Sequence, residues 1–219
     1  MKVFVEMRPC GDGKAVEYMR ERNIILASQS PRRRELLSEI LDSYIIEPSR
    51  CPEDAVGTPK RVVLQQGYDK ALDVFMRHPD AIVIGADSVV AIDGMILGKP
   101  VDDDDARRML HMLSGRRHSV LTGMCVVGPE GCATALDETY VYDRPISDEE
   151  IEAYIRTGEG RDKAGAYGIQ GKGGSFVTRY EGDFDNVIGL CVKSLEDILT
   201  RKFHVKLKPR VRTWQWKQK

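Results

Sequence analysis

The chain has 219 residues, 33 basic and 34 acidic, for a formal net charge of −1, with 42% hydrophobic and 31% charged side chains. Balanced charge excludes a protein that binds nucleic acid over its whole surface, and this apolar fraction excludes wholesale disorder. No apolar run approaches the ~18–20 residues that a membrane span needs. MKVFVEMRPCGDGK lacks the apolar stretch of a signal peptide, and the five cysteines never show C-x-x-C spacing. Reduced thiols in a cytoplasmic protein are therefore expected, rather than disulfides or a structural zinc site.

In chain order, IILAS (24–28) is a short buried strand. SQSPRRRELLSEIL then makes a helix, with Ser30 as N-cap, Pro31 in its first turn and Leu36, Leu37, Ile40 and Leu41 as its apolar stripe. YIIEP (44–48) is a second strand, SRCPEDAVG a loop, and Thr58-Pro59 opens a helix running to about Arg77. AIVIGADSVVAI (81–92) is a strand expected to break or bend near Gly85. VDDDDARRMLHMLSG places acids in the first turn of a helix, where they suit the dipole. HSVLTGMCVVG and ATALDETYVYD pair across the turn PEGC, and Ser147 with Glu150 forms a capping box. A glycine-rich loop, DKAGAYGIQGKGGS, precedes a strand FVTRYEG and a helix from about Asn186 to Arg201. The alternation predicts an α/β fold, a mixed twisted sheet flanked by helices.

Four segments carry chemistry. Arg32, Arg33 and Arg34 crowd a helix N-terminus, where they oppose the dipole unless an anion, most simply a phosphate, sits among them. The alternative is three solvated arginines. Asp87, in an apolar strand, is a costly charge without a partner, which metal coordination or general-base work would explain; the alternative is a backbone cap. Lys99, held between Gly98 and Pro100, can be aimed at an anion. In the glycine-rich loop, Tyr167 and Gln170 offer hydrogen bonds where glycines permit close approach. Neither a Walker A loop nor a dinucleotide fingerprint is present, because Lys172 precedes Gly173 and the loop lies between a helix and a strand. Cations, a buried acid and a loop for a planar ligand make the set that a metal-assisted phosphoanhydride enzyme requires.

LASQSPRRRELL, IGADSVV, LGKP, SGRRHSVLTG, DKAGAYGIQGKGGSFV and GDFDNVIGL, in that order, resemble the Maf nucleotide pyrophosphatases over roughly residues 24–200. The resemblance divides the chain into an N-terminal extension (1–23), a Maf-like domain (24–202) and a basic tail (203–219). It implies two lobes around a central cleft, often a homodimer, and hydrolysis of a nucleoside triphosphate to monophosphate plus pyrophosphate with Mg²⁺ or Mn²⁺. By motif, Asp87 resembles the catalytic aspartate and a metal ligand. Glu53, beside Asp54, is the candidate second metal ligand. Lys70 and Lys99 resemble the catalytic lysines, and Ser28, Arg32 and Arg33 the phosphate-binding segment. Arg32, Ser88 and Gln170 fall where the family sets base preference. PRR with GAD and GIQG resembles the dTTP/UTP branch, with Ser88 in place of the commoner Thr. The rival is a nucleotide-binding regulator of cell division without turnover.

Residues 201–219 carry eight Lys/Arg and no acid, leaving 25 basic against 34 acidic residues in the first 200. With Trp214 and Trp216, this tail could touch nucleic acid, but Phe203, Val205 and Leu207 alternate with polar neighbours and favour an arm packed on the acidic body.

Overall fold

A computed structural model describes residues 3–5 and 20–212. Two short strands, β1 (Val3–Val5) and β2 (Arg20–Arg22), pair antiparallel as a small separate sheet. The main sheet has seven strands: β3 (Ile24–Leu26), β4 (Ile45–Ile46), β5 (Ile82–Ile92), β6 (Met95–Leu97), β7 (Arg117–Gly128), β8 (Gly131–Asp143) and β9 (Val177–Glu181). Their order is β4-β3-β5-β7-β8-β9, with β6 on β5. β3 runs parallel to β4 and β5, while the β5–β6, β5–β7, β7–β8 and β8–β9 ladders are antiparallel. Among the described residues six α-helices accompany it: α1 (Pro31–Ser38), α2 (Pro59–Phe75), α3 (Asp103–Leu113), α4 (Asp148–Ile155), α5 (Phe184–Ile188) and α6 (Val192–Arg201). The architecture is α/β with a mixed sheet.

Local chemistry sets the helix starts. Ser30, Thr58 and Asp102 accept hydrogen bonds from the backbone N–H groups of Arg33, Arg61 and Asp105, and the Ser147–Glu150 capping box is formed in both directions. β5 alternates between the two faces. Ile82, Ile84, Ala86, Val90 and Ile92 join the main core with Leu36, Leu37, Leu110 and Leu195. Val83 packs with Ala71 and Val74, and Val89 and Ala91 with Val63, on the face that α2 covers. Each fully buried Ile or Leu contributes on the order of 2 kcal/mol relative to exposure.

The structure departs from the sequence reading in three places. β5 is continuous through Gly85. A Cβ there would lie 2.4 Å from the Gly67 carbonyl oxygen and 2.5 Å from the Ala71 nitrogen, so the glycine admits the backbone of α2 rather than breaking the strand. The last helix is two, α5 and α6, because Gly189 turns the chain between them with φ 126°. β4 covers two residues of the expected five, and both are exposed.

The ladder partners of β5 create an opening. Along one edge, Ile82–Ile84 pair with β3 and Val90–Ile92 pair with β6. The opposite edge is paired to β7 from Val83 through Ala91. Residues 85–89 therefore have a free edge between β3 and β6, and Asp87 and Ser88 lie in this gap.

The basic arm follows α6 onto the body: Phe203 and Val205 are buried, and the Lys208 N–H donates to the Ile40 carbonyl. Trp214, Trp216 and Cys10 lie outside the described residues. Cys51, Cys125, Cys132 and Cys191 are free thiols. Among the described residues no helix is long and apolar enough to cross a membrane.

Candidate active site

A pocket of about 1100 Å³ opens at the gap in β5. Because side chains alternate along a strand, Asp87 and Ser88 face opposite ways. Asp87 points to the α2 side, where Lys70, a buried residue of α2, meets it: Nζ is 2.7 Å from Asp87 Oδ1 and 2.8 Å from Glu53 Oε1. One ammonium thus joins two carboxylates from distant parts of the chain. The Lys70 hydrogen bond holds the Glu53 carboxyl below its ordinary pKa. Of the pair Glu53–Asp54, Glu53 is the one that meets Lys70. Lys99 is exposed, its Nζ 4.0 Å from Glu53 Oε2.

Ser88 points to the α1 side. Its hydroxyl is 3.0 Å from Arg33 Nη2 and 2.8 Å from Thr122 Oγ1 on β7. Arg33 also donates through Nε to the Gly189 carbonyl (2.7 Å) and through Nη1 to Ser28 Oγ (3.3 Å). Burial lowers the Arg33 pKa, while Asp87 favours its charged form. The three arginines of the α1 N-terminus separate: Arg32 and Arg33 line the pocket, and Arg32 Nη1 reaches to 3.8 Å from Asp162 Oδ2.

The far wall is the glycine-rich loop. Glu159 organises it, accepting from the backbone N–H groups of Lys172 (2.9 Å) and Gly173 (3.1 Å) and from the Tyr154 hydroxyl (3.0 Å). A Cβ at Gly171 would lie 2.4 Å from Glu159 Oε1, so this position admits no side chain without displacing the anchor. Gln170 lines the pocket, and its Nε2 is buried with no hydrogen-bond partner. A buried donor left unmade is costly, which marks it as a group kept for a ligand or a bound water.

Tyr167 differs from the sequence expectation. Its hydroxyl turns inward to His118 Nε2 (2.8 Å), and His118 Nδ1 lies 3.6 Å from Asp143 Oδ2. Burial pushes the Asp143 carboxyl up to about 7 and the His118 imidazole down to about 4, so both favour neutrality. A raised carboxyl pKa means that the folded state holds a proton which the unfolded state releases above pH ~4. Asp143 therefore costs stability progressively as pH rises from about 4 to about 7. His118 acts oppositely, costing stability as pH falls from 6.5 toward 4. Asp143→Asn removes the first effect. Its stability relative to wild type, followed by urea denaturation, should improve by up to ~1.4 kcal/mol per pH unit across that window. A difference that is flat from pH 4 to 8 would contradict the assignment.

The structure thus gathers Ser28, Arg32, Arg33, Glu53, Lys70, Asp87, Ser88, Lys99 and Gln170 around one pocket. Sequence reasoning missed Thr122, the Gly189 carbonyl and Glu159. A backbone acceptor carries no residue-type signal, but GDFDNVIGL could have pointed to Gly189. Among the described residues no cluster of three or more His, Cys, Asp or Glu gathers as a metal site. Within the pocket, the carboxylates of Glu53 and Asp87 converge on a common cation, Lys70.

Comparison with known proteins shows the family. Residues 23–202 match the family described as Maf-like protein. A dTTP/UTP pyrophosphatase of Thermococcus gammatolerans is 50% identical over 184 residues, covering 83% of this chain and 98% of the relative. A dTTP/UTP pyrophosphatase of Thermoanaerobacter sp. (strain X514) is 47% identical over 188 residues, with 84% and 98% covered. One of Pyrococcus furiosus with the same name is 45% identical over 173 residues, with 78% and 90% covered. The fold is α/β with a mixed sheet, and the chain is a member of the Maf family.

Proposed function

We propose that the protein is a nucleoside triphosphate pyrophosphatase acting on dTTP and UTP. The observation that carries this reading is Asp87, ionically paired to Lys70 at the free edge of β5, in one pocket with Arg32, Arg33 and Lys99. An acid flanked by four cations suits a reaction in which water is activated beside a polyanion. The names of the relatives supply the substrates.

Arg32, Arg33, Lys70 and Lys99 bind the triphosphate and offset the charge that moves toward the leaving group. Ser28 and Ser88 hold the Arg33 fork in place. Asp87 takes a proton from water as the water oxygen bonds to the α-phosphorus. The bond from that phosphorus to the α–β bridging oxygen breaks, and pyrophosphate leaves with the electron pair. Gln170 Nε2, the unpaired buried donor, meets a carbonyl of the pyrimidine edge. Arg32 reaches toward that wall from α1, its Nη1 3.8 Å from Asp162 Oδ2 of the glycine-rich loop.

Glu53 and Asp87 would hold a divalent cation, since both offer hard carboxylate oxygens and Lys70 keeps the two side chains close together. Mg²⁺ or Mn²⁺ bound there supplies Lewis-acid neutralisation of the phosphates.

Product analysis of UTP, dTTP, CTP and 7-methyl-GTP with Mg²⁺ or Mn²⁺ tests the reading. Monophosphate plus pyrophosphate, strongest for UTP and dTTP, is expected. Orthophosphate plus diphosphate would place the attack at the terminal phosphorus and refute the mechanism. Binding without turnover would make the protein a nucleotide-sensing regulator.

A further inference from the structure

The arm beyond α6 lies outside residues 23–202, which match the family. It is nevertheless linked to the wall of the pocket by a traceable route. After Phe203 and Val205 are buried, Lys208 bonds the Ile40 carbonyl at the end of α1, and Arg210 then enters between two carboxylates. Its Nη2 lies 2.6 Å from Asp185 Oδ2, and its Nε 2.8 Å from Glu39 Oε2. The side chains of Glu39 and Asp185 are only 2% and 3% exposed, and that of Arg210 only 13%. A carboxylate buried this deeply either takes up a proton or pairs with a cation, and here one planar guanidinium serves two at once.

Both acids sit on elements that fix Arg33. Glu39 caps the C-terminal end of α1, the helix that carries Arg33. Asp185 is in α5, and its carbonyl accepts from the N–H groups of Gly189 (2.9 Å) and Leu190 (3.1 Å). The Gly189 carbonyl in turn accepts from Arg33 Nε at 2.7 Å. A closed ring results, from Arg210 through Asp185, Gly189, Arg33 and α1 to Glu39 and back to Arg210.

We infer that Arg210 is a positioning residue for Arg33, and that the C-terminal arm is a strap completing the phosphate-binding wall. The inference rests on the reading above only in taking Arg33 to meet the nucleotide's phosphates. Misplacing a bidentate arginine by an ångström is sufficient to lose much of its contribution to binding.

The test uses the full-length chain and two readouts: UTP affinity by calorimetry in EDTA, where hydrolysis is suppressed, and steady-state kcat with Mn²⁺. Arg210→Gln should weaken UTP binding about tenfold, the scale of one charge-assisted hydrogen bond, with kcat changed less than about threefold. Arg210→Lys, which restores the charge but not the two-donor fork, should recover part of that affinity. In an Arg33→Gln background, adding Arg210→Gln should cost less than about twofold more, because the connection it acts through is already gone. Asp185→Asn keeps Arg210 and the Asp185 carbonyl; it should weaken binding in the same direction and serves if Arg210→Gln does not fold. Unchanged UTP affinity in folded Arg210→Gln or Asp185→Asn, or penalties that multiply with Arg33→Gln, would overturn the inference. Failure of the wild type to bind UTP would overturn it together with the proposed substrate. Wild-type binding without pyrophosphate release would count against the reaction alone, and the expected affinity pattern would still support the strap.

Discussion

Asp87→Asn should lower kcat by about 10²–10⁴-fold, the range that a positioned general base contributes. UTP affinity in EDTA should stay within a few-fold of wild type. The amide is nearly isosteric, and β5 is paired to β7 through position 87, so the backbone is held independently of the side chain. Lys70 keeps its second partner, Glu53 at 2.8 Å, and so remains near the pocket. Arg33, on the other face of the sheet, keeps Ser28, Ser88 and the Gly189 carbonyl. What disappears is a basic oxygen for the attacking water's proton. Single-turnover measurement of pyrophosphate release separates this loss from product release. Near-normal turnover in Asp87→Asn would remove the aspartate from the chemistry and require another base.

Replacing Gly85 by valine should destabilise the fold by about 3 kcal/mol or more, at the upper end of overpacking effects. The reason is geometric: even a Cβ would meet backbone, with the Gly67 oxygen at 2.4 Å, the Ala71 nitrogen at 2.5 Å and the Ala71 Cα at 2.9 Å. No rotamer change can relieve contacts with main-chain atoms, so α2 itself must move. Gly123, on β7, meets α2 in the same way: a Cβ at that position would fall 2.4 Å from the Val63 carbonyl carbon. Gly98→Ala is the control, since nothing lies within 4 Å of a Cβ there, and it should fall within about 0.5 kcal/mol of wild type. Urea midpoints for the three proteins decide the matter. Equal midpoints for Gly85→Val and Gly98→Ala would contradict the close contact between α2 and β5. Since Lys70 rides on α2, residual activity in Gly85→Val should fall further than the folded fraction alone explains.

The parts of the structure legible in sequence were those with local causes. Ser30-Pro31, Thr58-Pro59 and Ser147 with Glu150 mark helix starts, because capping is decided within a few residues. Asp87 stood out because an acid in an apolar strand needs a reason. Gly85 was harder: a glycine within a strand signals either a break or a close backbone approach, and choosing between them requires knowing that α2 crosses there. The division of the last helix at Gly189 has the same character, since that carbonyl is directed at an arginine 156 positions away in sequence. Tyr167 illustrates the opposite error. A tyrosine in a glycine-rich loop suggests a ligand contact, but its hydroxyl is taken by His118, on a strand that nothing local connects to the loop. Alternation at 203–207 did suggest a packed arm, although the pairing of Arg210 with Glu39 and Asp185 has no sequence signature.

The free edge of β5 also bears on how this chain tolerates insertions and deletions. Asp87 and Ser88 are neighbours, yet they serve opposite faces of the sheet, one toward Lys70 and the other toward Arg33. Removing Ala86, or adding one residue between Gly85 and Asp87, would exchange the two faces, turning the hydroxyl toward the α2 side and the carboxylate toward the α1 side. Point substitutions in this strand can be graded by size and charge, but a change in length cannot. The nine-residue ladder from Val83 to Ala91 along β7 is the ruler that keeps acid and hydroxyl on their proper sides.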